Sequence, residues 1–172
     1  MSYATRHPDH PSKLILLSCA PKLDVDRIAA AFARLGGPEA GDIARRFWSS
    51  FDMSVGAEYV RACTPLYFRT PQDPHLEARA VTGADVTLDY LRPGGVAQTL
   101  DFRDALAGIR CPTLVMGGED DPVTTIEDMA DIAAAIPAHL VTFERIANCG
   151  HGPFFDAPER TLEAVRAFVT AA

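Results

Sequence analysis

The fold is decided by two pieces of sequence, PTLVMGGEDDP at residues 112–122 and CGHGPFFDAPE at residues 149–159. In the first piece, an apolar run of strand length breaks into a turn of glycines and acids. A helical pattern and a second short apolar run, His139–Phe143, lie between the two pieces. An acid, Asp121, and a histidine, His151, therefore each follow a predicted strand.

Asp121 and His151 together predict acid–base chemistry. In open α/β sheets, ligands bind outside the carboxyl ends of the strands, so both side chains are expected at that edge. A histidine takes a proton from a hydroxyl near neutral pH, and a carboxylate on its other ring nitrogen fixes the tautomer and stabilises the imidazolium. Asp120 is the alternative for the acid.

A further strand is predicted far upstream, at Lys13–Ser18, where prolines flank a continuous apolar run. The residues between it and the strand at residue 112 are too many for one crossover helix, and from Asp24 their apolar spacing is mostly helical. We therefore predict an α/β fold of three parallel strands with flanking helices. Residues 1–20 and 103–172 would form its core, and residues 21–102 a helical lid insertion.

Smaller patterns give local expectations. Thr124 and Glu127 have the spacing of a capping box at the start of a helix. Asp156 and Glu159 are expected to cap the last helix. Ser18 ends its strand and is expected to cap backbone groups with its hydroxyl.

The composition excludes several classes of protein. The 172 residues are 48% hydrophobic and 23% charged, as in a single globular domain. A net charge of −7 disfavours nucleic acid or an anionic membrane as a partner, and no apolar run approaches the roughly eighteen residues of a membrane span. The four cysteines form no C-x-x-C pair and no signal peptide is present. We therefore expect reduced thiols in the cytoplasm, with no zinc and no cofactor.

The acid and histidine segments resemble those of the α/β-hydrolase family, whose chain order is nucleophile, acid, histidine. The resemblance places the acid on Asp121 and the base on His151, and implies the last three parallel strands of that fold with its lid. Residues 63–67, CTPLY, and the lid length resemble the proline iminopeptidase-like branch. That branch implies cleavage of an N-terminal proline or a related amide, with lid carboxylates holding the substrate amine; Glu58 and Glu77 are acidic residues of the predicted lid.

The nucleophile motif of the family, G-x-S-x-G, does not occur in the sequence. One interpretation is a fragment or truncated form of a serine hydrolase, a peptidase or esterase that acts on a small-molecule or peptide substrate when complete and is inactive alone. The alternative is a non-catalytic binding or self-association domain. In that case the open edge of the Lys13–Ser18 strand is a pairing surface, and a homo-oligomer is expected.

Other residues near the site have competing interpretations. Cys149 is interpreted as a packed thiol rather than a nucleophile, and Phe154 and Phe155 as core anchors rather than substrate contacts. The lid aromatics either line an apolar acyl or prolyl pocket or pack only against one another. These aromatics are Phe47, Trp48, Phe51, Tyr59, Tyr67 and Phe68.

Overall fold

Three parallel strands form the sheet of this computed structural model. The structure describes residues 1–51, 53–73, 75, 79, 81, 83–92 and 94–171. The strands are β1 (Leu14–Leu17), β2 (Thr113–Gly118) and β3 (Val141–Ile146), in the order β1-β2-β3. Leu14 and Val141 both pair with Thr113, so β2 is central and both its neighbours run parallel to it.

Helices surround the sheet and fill the long connection between β1 and β2. The α-helices are α1 (Ser2–Arg6), α2 (Val25–Gly36), α3 (Pro38–Ser50), α4 (Gly56–Ala62), α5 (Ala84–Leu91), α6 (Val96–Thr99), α7 (Ile126–Ala135), α8 (Pro153–Asp156) and α9 (Pro158–Thr170). Short 3₁₀ turns occupy Met53–Val55, Thr64–Leu66 and Leu106–Gly108. The prediction of three parallel strands with flanking helices is confirmed. Within the described part of the chain, no helix has the length and apolar character needed to cross a membrane.

The central strand is a continuous apolar run because both of its faces are covered. Every residue of β2 is buried. Successive side chains of a strand point to opposite faces. Val115 accordingly packs with Met129 and Ile132 of α7, whereas Leu114 and Met116 pack on the side of α9.

The chain between β1 and β2, here called the helical region (residues 18–112), is built on the packing of α2 against α3. Gly37 has a φ of 87°, which lets the chain turn sharply before Pro38 opens α3. Gly41 then lies so close to α2 that a Cβ would stand 2.8 Å from the Ala29 carbonyl oxygen. The division that assigns residues 21–102 to a separate lid stays a prediction.

A capping box does open α7, but one residue later than predicted. Thr125, not Thr124, is the N-cap; its hydroxyl accepts from the Asp128 amide, and the Asp128 carboxylate accepts from the Thr125 amide at 2.9 Å. The predicted partner Glu127 has no part in it. Asp128 is also bonded to the helical region, because Arg27 Nη1 of α2 donates to its carboxylate at 2.9 Å. Burial raises the pKa of Asp128, against the opposing effect of Arg27.

Two other local expectations are wrong. The N-cap of α9 is Ala157, without a side-chain cap, so neither Asp156 nor Glu159 caps that helix. The Ser18 hydroxyl is buried and has no hydrogen-bond partner among the described residues, although its amide donates to Met116 O at 3.0 Å. Local sequence spacing found the strand and helix ends here but not the partners of their side chains.

Candidate active site

Asp121 lies in the turn that follows β2 and is completely buried. Its carboxylate accepts hydrogen bonds from the Val123 amide at 2.8 Å, the Thr124 amide at 3.0 Å and the Thr124 hydroxyl at 2.7 Å. These three hydrogen bonds fix the orientation of both carboxylate oxygens. The turn therefore builds a buried, oriented acid.

His151 lies in the loop after β3 and brings its ring to that acid. Its Nδ1 is 3.0 Å from Oδ2 and 3.2 Å from Oδ1 of Asp121. The imidazole is about one third exposed, at 32%, whereas the carboxylate is not exposed at all. The two predicted residues, 30 positions apart, thus meet at one hydrogen bond. The carboxylate that contacts the ring belongs to Asp121 and not to the alternative, Asp120.

A glycine at the end of β2 allows the histidine loop to approach. A Cβ on Gly118 would stand 2.1 Å from the Cys149 carbonyl oxygen and 2.3 Å from that of Gly150. The Asp120 amide then donates to Cys149 O at 2.9 Å. Asp120 therefore positions the two loops through its backbone.

The helical region also holds the histidine loop. The His151 amide donates to Tyr67 O at 2.7 Å, and the two rings meet edge to face with centroids 5.7 Å apart. A Cβ on Gly150 would stand 2.1 Å from Tyr67 O, so only glycine permits this crossing. The loop carrying His151 is thus packed between β2 and the segment after α4.

Asp156 completes this attachment. Its carboxylate accepts from the Gly150 amide at 2.7 Å, the Arg69 amide at 3.0 Å, the Thr70 amide at 2.9 Å and the Thr70 hydroxyl at 2.7 Å. Partial burial alone would raise the pKa of Asp156, but these donors outweigh it and lower the pKa below its ordinary value. The partners at 69 and 70 are more than eighty positions away, and no sequence pattern marks them.

A cavity of about 440 Å³ opens beside His151, between β1 and the helical region. Of the aromatic residues predicted for a pocket, Trp48 lines it. The others pack in a ring cluster, in which Phe47 stacks on Tyr59 with centroids 4.2 Å apart. Other apolar residues, such as Ile28 and Phe102, form the remaining wall.

The competing interpretations of neighbouring residues are decided by burial. Cys149 is fully buried, and burial raises the pKa of its thiol to about 12, as for a packed thiol rather than a nucleophile. Phe154 and Phe155 are about half exposed, at 47% and 49%, so the prediction that they anchor the core is wrong.

Of the two acidic residues named in the predicted lid, Glu58 does not line the cavity. Glu58 pairs with Arg46 at 2.6 Å, away from the residues that line it. Glu77 lies outside the described residues. In the described ranges, no three His, Cys, Asp or Glu side chains are grouped as a metal would require.

Known proteins share this arrangement of strands and helices. The profile of the alpha/beta hydrolase family matches residues 2–164. The structure of VinJ superposes with a TM-score of 0.69 at 20% identity, covering 98% of this chain and 60% of that one. A proline iminopeptidase from Mycobacterium smegmatis superposes with a TM-score of 0.68 at 20% identity, covering 98% of this chain and 60% of that one. An esterase from Exiguobacterium antarcticum superposes with a TM-score of 0.60 at 20% identity, covering 98% of this chain and 62% of that one. No curated protein sequence matches the chain significantly.

These identities show likeness of fold alone. The chain spans about three fifths of the length of the solved structures that it matches, so it carries part of their fold. The family profile covers nearly the whole sequence. The chain belongs to the alpha/beta hydrolase family.

Proposed function

We propose that this chain supplies the acid and base of a serine hydrolase that cleaves an acyl or peptide bond, with Asp121 as the acid and His151 as the base. The observation that carries the proposal is the 3.0 Å contact between His151 Nδ1 and the buried Asp121 carboxylate. In this proposal the Asp121 carboxylate, which accepts from two amides and a hydroxyl, also accepts from Nδ1–H. Nε2 of the neutral ring is then the basic nitrogen, free to take a proton from a nucleophile.

The nucleophile in this proposal is a serine outside these 172 residues, since the sequence has no G-x-S-x-G. A longer form of the same polypeptide or a second chain would supply it together with the oxyanion-hole donors. Support comes from the solved structures, of which this chain covers about three fifths. Esterases and a peptidase are among them, and the proposal covers both reactions.

The test uses the native protein. A C-terminal epitope tag introduced in the source cells captures the chain with whatever polypeptide continues or accompanies it. The captured material is treated with a fluorophosphonate and assayed with p-nitrophenyl esters and a proline anilide. We expect a labelled serine and hydrolysis, both reduced by at least a factor of 10³ in strains carrying His151→Ala.

Captured material with neither a labelled serine nor hydrolysis would overturn the proposal. The matched control is His139→Ala, since His139 is an exposed histidine in the turn before β3 and should leave both signals unchanged. Equal loss in the two variants would show an effect on folding rather than on the base.

A second candidate function, self-association without catalysis, is favoured by β1. This strand pairs with β2 on one side and has no strand on its other side within the described residues. Ile15 is 36% exposed on it. An unpaired edge is a template for another strand, and a dimer seen by light scattering would support this function.

A further inference from the structure

We infer that the cavity beside His151 selects an uncharged apolar acyl group, so that the substrate class is an ester of an apolar carboxylic acid rather than a peptide with a free N-terminal amine. The inference rests on the proposed function for its reaction, but the selectivity belongs to the cavity itself. His151 and Thr124 line one part of the cavity, and the helical region lines most of the rest. A group bound there lies next to the base.

The wall is mostly hydrocarbon. Its large side chains come from α2, α3, α5, the segment around α6 and the turn after β2, so four parts of the helical region and this turn contribute to one apolar surface. They include Ile28, Trp48, Leu91, Leu100, Phe102 and Val123. Such a wall stabilises apolar groups removed from water, whereas an ammonium bound against it loses hydration.

The volume fits a group of modest size. Pockets for small ligands measure about 300–1,000 Å³, and this cavity, at about 440 Å³, is in the lower part of that range. The Trp48 indole is fixed rather than adaptable, because its Nε1 donates to the Tyr59 hydroxyl at 2.8 Å. A short or medium acyl chain fills this space without displacing that ring.

The charged side chains at the cavity offer a cationic ligand no unpaired carboxylate. Asp24 is the N-cap of α2. Its carboxylate accepts a hydrogen bond from the Arg27 amide at 3.0 Å and lies 3.6 Å from Arg27 Nε. Lys22 is the other charged residue of the wall, and its Nζ lies 4.0 Å from Asp101. Both charges thus already have an opposite charge beside them, and neither residue gives a substrate ammonium an unpaired carboxylate.

Ser18 supplies a polar atom for the ester itself. Its backbone has a φ of 43°, and its buried Oγ has no hydrogen-bond partner among the described residues. A buried hydroxyl without a partner is unfavourable until a ligand atom satisfies it. Ser18 is one of the residues that line the cavity beside His151; its Oγ is turned away from the open space, and a change of its χ1 angle would bring the hydroxyl to an oxygen of an ester bound there.

The test compares two esters that differ by one charge, methyl hexanoate and methyl 6-aminohexanoate. Each is titrated into the purified 172-residue chain and followed by the NMR shifts of the backbone amides around Ser18 and His151. We expect methyl hexanoate to bind at least tenfold more tightly than the amino ester. Ser18→Ala should weaken methyl hexanoate severalfold without changing the ratio between the two esters by more than twofold.

A charge placed in the wall reverses the preference. Ala97 lines the cavity, so Ala97→Asp should favour the amino ester. Ala57 is exposed on α4, and Ala57→Asp is the matched control that should leave both affinities unchanged. Equal or tighter binding of the amino ester by the unmodified chain would overturn the inference, as would shifts from neither ester.

The two proposals fail in different ways. Binding without any hydrolysis or labelled serine in the native captured material removes the hydrolase function and leaves the cavity selectivity intact. Hydrolysis of proline anilide in preference to an apolar ester removes the substrate class and leaves the acid–base assignment of His151 intact.

Discussion

The carboxyl ends of β2 and β1 differ in how completely their polar groups are satisfied. Behind β2, Asp121 is fully buried and its carboxylate has donors from two amides, a hydroxyl and an imidazole. Directly after β1, Ser18 has a left-handed backbone conformation and a buried hydroxyl without a hydrogen-bond partner in the described structure. Yet the two strands are direct neighbours in the sheet.

The difference follows from position in the sheet. β2 has a strand on each side and helices over both faces, so the loops that follow it and β3 meet and bond to each other. β1 has a neighbour on one side only. The central strand is therefore followed by an oriented carboxylate whose hydrogen bonds are satisfied. The edge strand ends in polar groups that are still able to bond to a ligand or to another strand.

The largest effect is expected from Asp121→Asn, which disrupts the hydrogen bonds accepted by the carboxylate after β2. One amide oxygen and one NH₂ group cannot accept all of these hydrogen bonds, so the free energy of unfolding should fall by about 1–3 kcal/mol. The NH₂ group facing Nδ1 also makes that nitrogen an acceptor, which moves the ring proton to Nε2. Urea unfolding measures the first change and ¹⁵N shifts of the His151 ring measure the second.

Asp120→Asn is the matched control, because Asp120 contacts the histidine loop through its backbone amide. It should keep the His151 tautomer and most of the stability. A change of tautomer in Asp120→Asn, or none in Asp121→Asn, would remove Asp121 as the acid.

A smaller effect is expected from Asp156→Asn, which loosens the histidine loop from the helical region. Hydrogen bonds from Thr70, Arg69 and Gly150 lower the pKa of Asp156 despite its partial burial. A carboxylate with a lowered folded-state pKa stabilises the fold above its unfolded pKa of about 3.9, and this contribution is lost as pH falls through the folded value. Asp156→Asn should therefore cost about 1 kcal/mol at pH 7 and flatten the loss of stability below pH 4.

The contrast is with Glu159→Gln, which removes the same charge from an exposed residue three positions later. Its stability should follow that of the unmodified chain at every pH. Urea midpoints measured between pH 7 and pH 2 separate the two variants. An unchanged slope for Asp156→Asn below pH 4 would show that its donors contribute nothing to stability.

The contact between Asp121 and His151 could be predicted from sequence because its determinants are local. Asp121 and His151 each come directly after a strand, and the ends of parallel strands share an edge. The attachment of the loop could not be predicted, since Tyr67 and Asp156 act through partners far away along the chain. Asp156 looked like a helix cap because a carboxylate before a helix has that local signature, whereas distant amides compete for it.

The cavity shows the same limit of local reasoning. The aromatic residues were visible as a group, but their spacing cannot tell a pocket wall from a packed cluster. Most of them pack around Tyr59, and apart from Trp48 of α3 the large apolar side chains of the cavity wall come from α2, α5, the segment around α6 and the turn after β2. Phe154 and Phe155 were assigned to the core on hydrophobicity alone, yet half of each side chain is exposed.

The unpaired edge of β1 predicts that copies of the chain associate, and blocking this edge should change the stability of the fold little. Leu14 and Ser18 donate their amides toward β2, so by alternation the amides of Ile15 and Leu17 face the open edge. We expect the purified chain to be a dimer or larger by light scattering. Ile15→Pro removes one outward donor and none of the amides bonded to β2, and should shift the chain toward monomer, while Ile15→Val should not. A monomer at all concentrations would exclude pairing through β1.

The smallest effect is expected from substitution of Cys149. This residue lies close to His151 in the sequence, but its buried thiol is expected to be unreactive. Burial raises the pKa of its thiol to about 12, and its Sγ lies 3.6 Å from the Gly150 carbonyl oxygen. At pH 8 it is therefore a neutral thiol packed beneath the loop, and iodoacetamide should leave it unmodified in the folded chain. Cys149→Ala should preserve the His151 tautomer and the labelled serine of the native material. Loss of that serine label, or fast alkylation of Cys149 in the folded state, would make the thiol part of the chemistry and reopen the assignment of the nucleophile.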